Sequence, residues 1–248
     1  MVPAATRART PGIVCRPLTP ERWTDLVRLF GPRGACAGCW CMWFRQSSGE
    51  FSAGKGAGNR RALQRLVRSG APIGVLAYVA DEPAGWCAAA PRAHYPRLAR
   101  SRVLAPVDER PAWSVTCFFV SRRFRRQGVT ARLLEAAVRF AAERGATLVE
   151  GYPVEPRGGK TADVFAYTGI ASVFRAAGFR EAARRSATRP VMRLELKPAR
   201  GAARNPAALR PRRAVARGDA RSAARPIITR GDASGAARLN PARGSARG

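Results

Sequence analysis

Apolar positions along this chain repeat with two periods, and the changes between them mark its elements. Ile13-Val14-Cys15-Arg16 reads as a short strand, and Thr19-Pro20-Glu21 opens a helix through Phe30, with Thr19 as cap and Pro20 in the first turn. Asn59 to Arg68 is helical, because Leu63, Leu66 and Val67 share one face. Ile73–Val79 and Gly85–Ala90 form a hairpin around Asp81-Glu82-Pro83. Trp113–Val120 is β-branched and aromatic, as expected of a central strand buried on both faces. From Val129, the residues Leu133, Leu134, Ala137, Val138 and Ala141 recur at helical spacing, and Gly145 is the stop. Ala146 to Val154 is a further strand. Ile170 to Ala177 is a second helix, with Thr168 as N-cap and Gly178 as stop, and Phe179 begins another extended segment.

Composition changes this picture mainly at the ends. The chain has 248 residues and a net charge of +29, with 45 basic residues against 16 acidic. Only Lys55, Lys160 and Lys197 are lysines; arginine, alanine, glycine and proline abound, as coding bias in a GC-rich genome would produce. Residues 198–248 carry arginines, two acids (Asp219 and Asp232) and no aromatic, which predicts a disordered tail. Such a tail could contact nucleic acid or an acidic partner. Aromatics are not interleaved with its charges, however, and no zinc-finger, helix-turn-helix or RNA-recognition signature is present. No apolar run approaches the roughly 18 residues of a membrane span. Met1 to Thr10 has no apolar signal region. The expectation is a cytoplasmic protein with no membrane partner.

Candidate chemistry concentrates where the central strand ends. Phe118-Phe119-Val120-Ser121 leads through Arg122, Arg123, Phe124, Arg125, Arg126, Gln127 and Gly128 directly into the helix at Val129 and Thr130. A helix start presents unpaired N–H groups and the positive end of its dipole, here with four arginines nearby. This is a site for a phosphate or pyrophosphate, with Gly128 where the backbone approaches the anion. A Walker A loop and a G-x-G-x-x-G dinucleotide fingerprint are both absent.

The R-x-x-G-x-[small] string from Arg125 to Thr130 resembles the acetyl-CoA motif of the GCN5-related N-acetyltransferase (GNAT) family, whose usual Gly or Ala at the last position is Thr130 here. Phe174-Arg175-Ala176-Ala177-Gly178-Phe179 is similar to the family's second signature. The resemblance implies an α/β fold over residues 13–197, between a flexible segment 1–12 and the tail. Its central mixed β-sheet would be flanked by helices, with a V-shaped splay between two central parallel strands. It further implies acetyl-CoA as co-substrate. Phe118 and Val120 would meet its pantetheine arm through their backbone, and Arg125, Arg126, Gln127, Gly128, Val129 and Thr130 would hold the pyrophosphate. The implied reaction is direct acetyl transfer to a primary amine, which needs a base for the amine, a donor for the oxyanion and an acid for the thiolate.

The sequence departs from the family at the catalytic positions. Phe174 stands where a tyrosine often supplies the proton, and Ser114 occupies the stretch where many members place a glutamate base. Tyr167 or Ser172 are candidate acids; Glu150, Asp163 and His94 are candidate bases. These absences leave an alternative reading, a non-catalytic acyl-CoA-binding module with a basic tail.

Cys36-Ala37-Gly38-Cys39-Trp40-Cys41-Met42-Trp43 has a C-x-x-C-x-C spacing that could contribute three thiolates to zinc, with Cys15 or Cys87 as fourth. The favoured expectation is no metal, with Cys39, Trp40 and Trp43 on the acceptor side. Pro91 to Pro111 and Pro156 to Lys160 are further acceptor-side loops.

Overall fold

In a computed structural model, residues 12–156 and 166–197 are described. The expected segment 1–12, except Gly12, and the tail 198–248 lie outside them. Strand β1 (Ile13–Pro17) is followed by a 3-10 turn (Pro20–Arg22) and helix α1 (Trp23–Phe30). Next come α2 (Ser48–Ala53), α3 (Ala57–Arg68), β2 (Gly74–Val79) and β3 (Glu82–Pro91). Helix α4 (Pro96–Ala99), β4 (Trp113–Val120), α5 (Val129–Ala142) and β5 (Leu148–Gly151) form the centre of the chain. Helix α6 (Ala171–Ala176), β6 (Arg180–Arg184) and β7 (Pro190–Glu195) close the fold.

The seven strands make one mixed sheet in the order β1-β2-β3-β4-β5-β7-β6. All neighbours are antiparallel except β4 and β5. Alternation along β2 divides the core between the faces. Val75, Ala77 and Val79 pack with α5, while Leu76 and Tyr78 pack with α1 and α3. Leu133 and Leu134 of α5 are completely buried, and each such side chain contributes roughly 1.5–3 kcal/mol.

The parallel pair meets over only three rungs, Trp113–Val149, Ser114–Glu150 and Val115–Gly151. Beyond Val115, β4 continues to Val120 beside β3 alone. The register shifts between Ala88 and Ala89, leaving Thr116 of β4 without an opposite residue. This is the α/β architecture and splay that the family resemblance implies.

Several local expectations change. Pro20–Arg22 is 3-10 and Thr19 makes no side-chain cap; its hydroxyl instead receives Arg22 Nη1 at 3.2 Å. Ala80 and Asp81 form the β2–β3 turn with φ of 48° and 59°, one or two residues before the expected position. β4 is buried along its first half and half-exposed toward Val120, so it is not covered on both faces throughout. Thr168 does not cap α6, whose N-cap is Ile170; its hydroxyl receives Arg189 Nη1 at 3.0 Å. Helix α2 went unread although its capping box is legible: Ser47 and Glu50 satisfy one another's backbone N–H groups.

Candidate active site

At the end of β4 the chain makes a 3-10 turn (Arg122–Phe124) that buries Phe124, and then enters α5. Arg126 and Gly128 both adopt left-handed backbone, with φ of 62° and 79°. A Cβ at Gly128 would meet no atom within 4 Å, so backbone conformation rather than crowding by protein favours glycine there. Among the described residues nothing accepts from the N–H groups of Arg126, Gln127, Gly128, Val129 and Thr130. Five consecutive donors at a helix N-terminus form a concavity suited to an anion. Side-chain contacts brace the turn: Arg123 pairs with Glu82 at 2.9 Å, and Gln127 donates to the Arg123 carbonyl.

The gap between β4 and β5 runs toward this turn. Ser121 N–H bonds Ala84 O on β3, so by alternation the backbone groups of Phe118 and Val120 face away from β3. The Val120 carbonyl accepts from Arg125 Nε at 3.2 Å. Across the gap, Val154 bridges Ile170, and Gly169 approaches the Phe118 ring. Phe174 is fully buried, edge-on to Phe118 and Phe179 at 6.1 and 5.0 Å. Its ring rests on Gly151, where a Cβ would lie 2.0 Å from Cε1.

Glu150 sits at the second parallel rung with a side chain 1% exposed. Its Oε2 receives Arg92 Nη1 at 2.6 Å and the Tyr152 hydroxyl at 2.8 Å; Oε1 receives Arg193 Nε at 2.8 Å. Tyr152 also lies 2.8 Å from Ser114 Oγ, and Arg193 continues to Asp108. Both carboxylate oxygens are therefore occupied by fixed cations. This arrangement braces the start of the splay and surrounds Glu150, an expected base, with two arginines and a tyrosine.

Tyr167 lies in the 3-10 turn Ala166–Thr168, half-buried, with its ring 6.4 Å from Phe44 and 6.0 Å from the Arg189 guanidinium. Burial pushes its hydroxyl pKa up, opposed by Arg189. The hydroxyl makes no hydrogen bond among the described residues. Ser172 is exposed on α6. His94 is half-buried, and desolvation followed by Arg45 lowers its pKa, so its imidazole is neutral near pH 7. Asp163 and residues 157–160 lie outside the described residues.

The cysteines disperse. Cys36 is exposed, Cys39 Sγ faces Gly34 O, and buried Cys41 contacts Trp86 Nε1 at 3.1 Å and Cys117 Sγ at 3.4 Å. Among the described residues no three His, Cys, Asp or Glu side chains converge on a metal position. Trp40, expected on the acceptor side, is 4% exposed and packs in the core between Phe30 and Trp23. Trp43 is 41% exposed and carries the Arg97 guanidinium 3.8 Å above its ring. The stretch 91–112 lines a cleft of about 340 Å³, with Arg92, Asp108, Glu109 and Arg110 as its charged lining. Arg97, Cys117 and Arg189, all close to Tyr167, were missed, because no local motif ties them together.

No curated protein matches the sequence. Among solved structures, the PaiA N-acetyltransferase of Thermoplasma acidophilum, in complex with coenzyme A, is 12% identical over 75% of this chain and 99% of that one, with a TM-score of 0.43. An acetyltransferase of the GNAT family from Listeria monocytogenes is 11% identical over 75% and 98%, with a TM-score of 0.45. An N-acetyltransferase from Staphylococcus aureus is 12% identical over 75% and 99%, with a TM-score of 0.43. Among the described residues no helix is long and apolar enough to cross a membrane. The family model described as Acetyltransferase (GNAT) family matches residues 40–155, a span from the α1–α2 segment through the splayed strands and the turn into α5. A domain of the acetyltransferase (GNAT) family therefore lies within this chain over residues 40–155.

Proposed function

We propose that this protein transfers an acetyl group from acetyl-CoA to a primary amine. The observation that carries the reading is the row of five N–H groups from Arg126 to Thr130, without a partner among the described residues, at the mouth of the β4–β5 gap. The pyrophosphate would rest on those donors and the pantetheine arm would run along Phe118 and Val120. Bound there, acetyl-CoA supplies an activated thioester carbonyl. The chain's own contribution is largely placement: the gap holds the arm extended and the turn fixes its charged end.

Phe174 cannot donate a proton, and its ring is enclosed by Gly151, Gly169 and Phe118. Tyr167 is the group we assign as the acid for the departing thiolate. Its raised pKa keeps it protonated at neutral pH, and among the described residues its hydroxyl is not committed to another group. Glu150 we assign to positioning, since Arg92 and Arg193 hold its carboxylate.

The test is a thermal-shift titration with acetyl-CoA on the wild type and Gly128→Asp, followed by an amine screen. Stabilisation in the wild type but not the variant supports the cofactor site, because a carboxylate there repels phosphate and fills its space. A folded wild type with no shift at ligand well above micromolar would remove the basis for the reading. Binding without turnover on any amine would turn it into that of a binding module.

A further inference from the structure

Two half-buried arginines near the splay have a carboxylate partner: Arg92 has Glu150, and Arg193 has Glu150 and Asp108. Arg45, Arg97 and Arg189 differ. Each is half-buried, and among the described residues none meets a carboxylate. Among the described residues, Arg45 Nε and Arg97 Nη2 are buried without a hydrogen-bond partner, as is Oε1 of the adjacent Gln46. Leaving a buried donor unpaired costs about 1–3 kcal/mol and more when it is charged, so such a cluster marks a place where another molecule supplies the partner.

Two of these arginines, Arg97 and Arg189, act on the Tyr167 hydroxyl through their charge, and each is held in place by its own contacts. Arg97 is held by its backbone N–H to Phe44 O at 3.3 Å, by Nε to Gln46 O at 3.3 Å, and by stacking 3.8 Å above Trp43. Arg189 is held by Thr168 Oγ1 at 3.0 Å and lies 6.0 Å from the Tyr167 ring. The Phe44 ring, 6.4 Å from Tyr167, joins the two groups. These contacts leave part of each guanidinium fork uncommitted, as recognition of a carboxylate or phosphate requires.

We propose that the acceptor amine carries an anionic group, a carboxylate or a phosphate ester, which Arg97 and Arg189 receive beside Tyr167. The proposal rests on the acetyl-transfer reading for the identity of the ligand as an acceptor. The anion site itself does not depend on turnover. It adds a substrate class: anionic amines in preference to neutral or polycationic ones.

The experiment measures binding by thermal shift, with and without CoA, which lacks the acetyl group and so permits no transfer. The probes are matched pairs: free amino acids against their α-carboxamides, and phosphoethanolamine against ethanolamine. The expected result is stabilisation by anionic members only, the two pairs showing whether carboxylate or phosphate is preferred. Arg97→Gln and Arg189→Gln should each weaken that binding about tenfold or more, with Arg97→Lys retaining part of it. The shift from CoA alone should be unchanged, which also reports that the variants are folded. Equal shifts from both members of each pair would overturn the proposal. So would no shift from any anionic probe, or anion binding unchanged in both Gln variants. Weaker CoA binding in folded variants would assign the arginines to the cofactor and overturn it as well. Failure of acetyl transfer alone is seen separately, as anion binding that persists without turnover on any amine.

Discussion

Arg92 Nη1 lies 2.6 Å from Glu150 Oε2 at the point where β4 and β5 begin to part. The arginine comes from the turn after β3 and the glutamate from β5, so one buried pair ties together strands on either side of β4. With Arg193 and Tyr152 added, the network holds the closed end of the splay while the rest of β4 stands free of β5.

Breaking this network should therefore loosen the fold more than a surface ion pair would. Glu150→Gln leaves Arg92 and Arg193 without their shared counter-charge and is expected to cost about 3–5 kcal/mol. Urea denaturation monitored by tryptophan fluorescence measures it. A loss below about 1 kcal/mol would mean the pair is solvated like a surface one.

Gly151 and Phe174 give a steric test. A Cβ at 151 would lie 2.0 Å from Phe174 Cε1, so Gly151→Ala must displace a fully buried ring. The expected cost is about 1–3 kcal/mol or more. Adding Phe174→Leu should recover part of it, and a double-mutant cycle reads the coupling. Strict additivity would show that the ring and the glycine do not compete for space.

Tyr167→Phe tests the assignment of the acid. General acid catalysis contributes about 10²–10⁴-fold, so kcat should fall by that order while CoA binding is unchanged. Since burial raises the Tyr167 pKa, wild-type kcat should not decline through loss of this proton anywhere near neutral pH. A variant with full kcat would remove Tyr167 from the chemistry.

Alkaline pH should weaken the fold. Burial pushes the Cys39 thiol up to about 11 and Cys87 well above its ordinary value, and contact with Cys117 together with burial does the same for Cys41. In the unfolded chain these thiols ionise near about 8.5. The raised folded values mean that their contribution is complete below that pH and is lost as pH rises through the folded values. Tm should hold to about pH 8 and fall between about pH 9 and 11. A flat profile across that range would mean the thiols ionise equally well in the folded state.

Legibility in the sequence followed the reach of each interaction. The β4 strand, the Arg125–Thr130 turn and the α5 stripe are local, and the structure places β4 over Trp113–Val120 and α5 over Val129–Ala142. A strand boundary or helix face is set by neighbours within a few residues, so pattern suffices. Differences from expectation lie where distant partners compete: Thr168 has the residue type of a cap, but Arg189 claims its hydroxyl.

Most of the strands and helices, and the basic, glycine-containing turn, are legible in the chain alone, because backbone preference and hydrophobic period are properties of short segments. What the polar groups face is set by the three-dimensional fold. Glu150 became a buried ion-pair partner because Arg92 and Arg193, 58 and 43 residues away, converge on it. The charges of Arg97 and Arg189 act on Tyr167 because α4, the 3-10 turn Ala166–Thr168 and the β6–β7 connection, distant in sequence, come together in the fold. The charge, access and orientation of a side chain depend on residues far away in the chain, and no local pattern encodes that meeting.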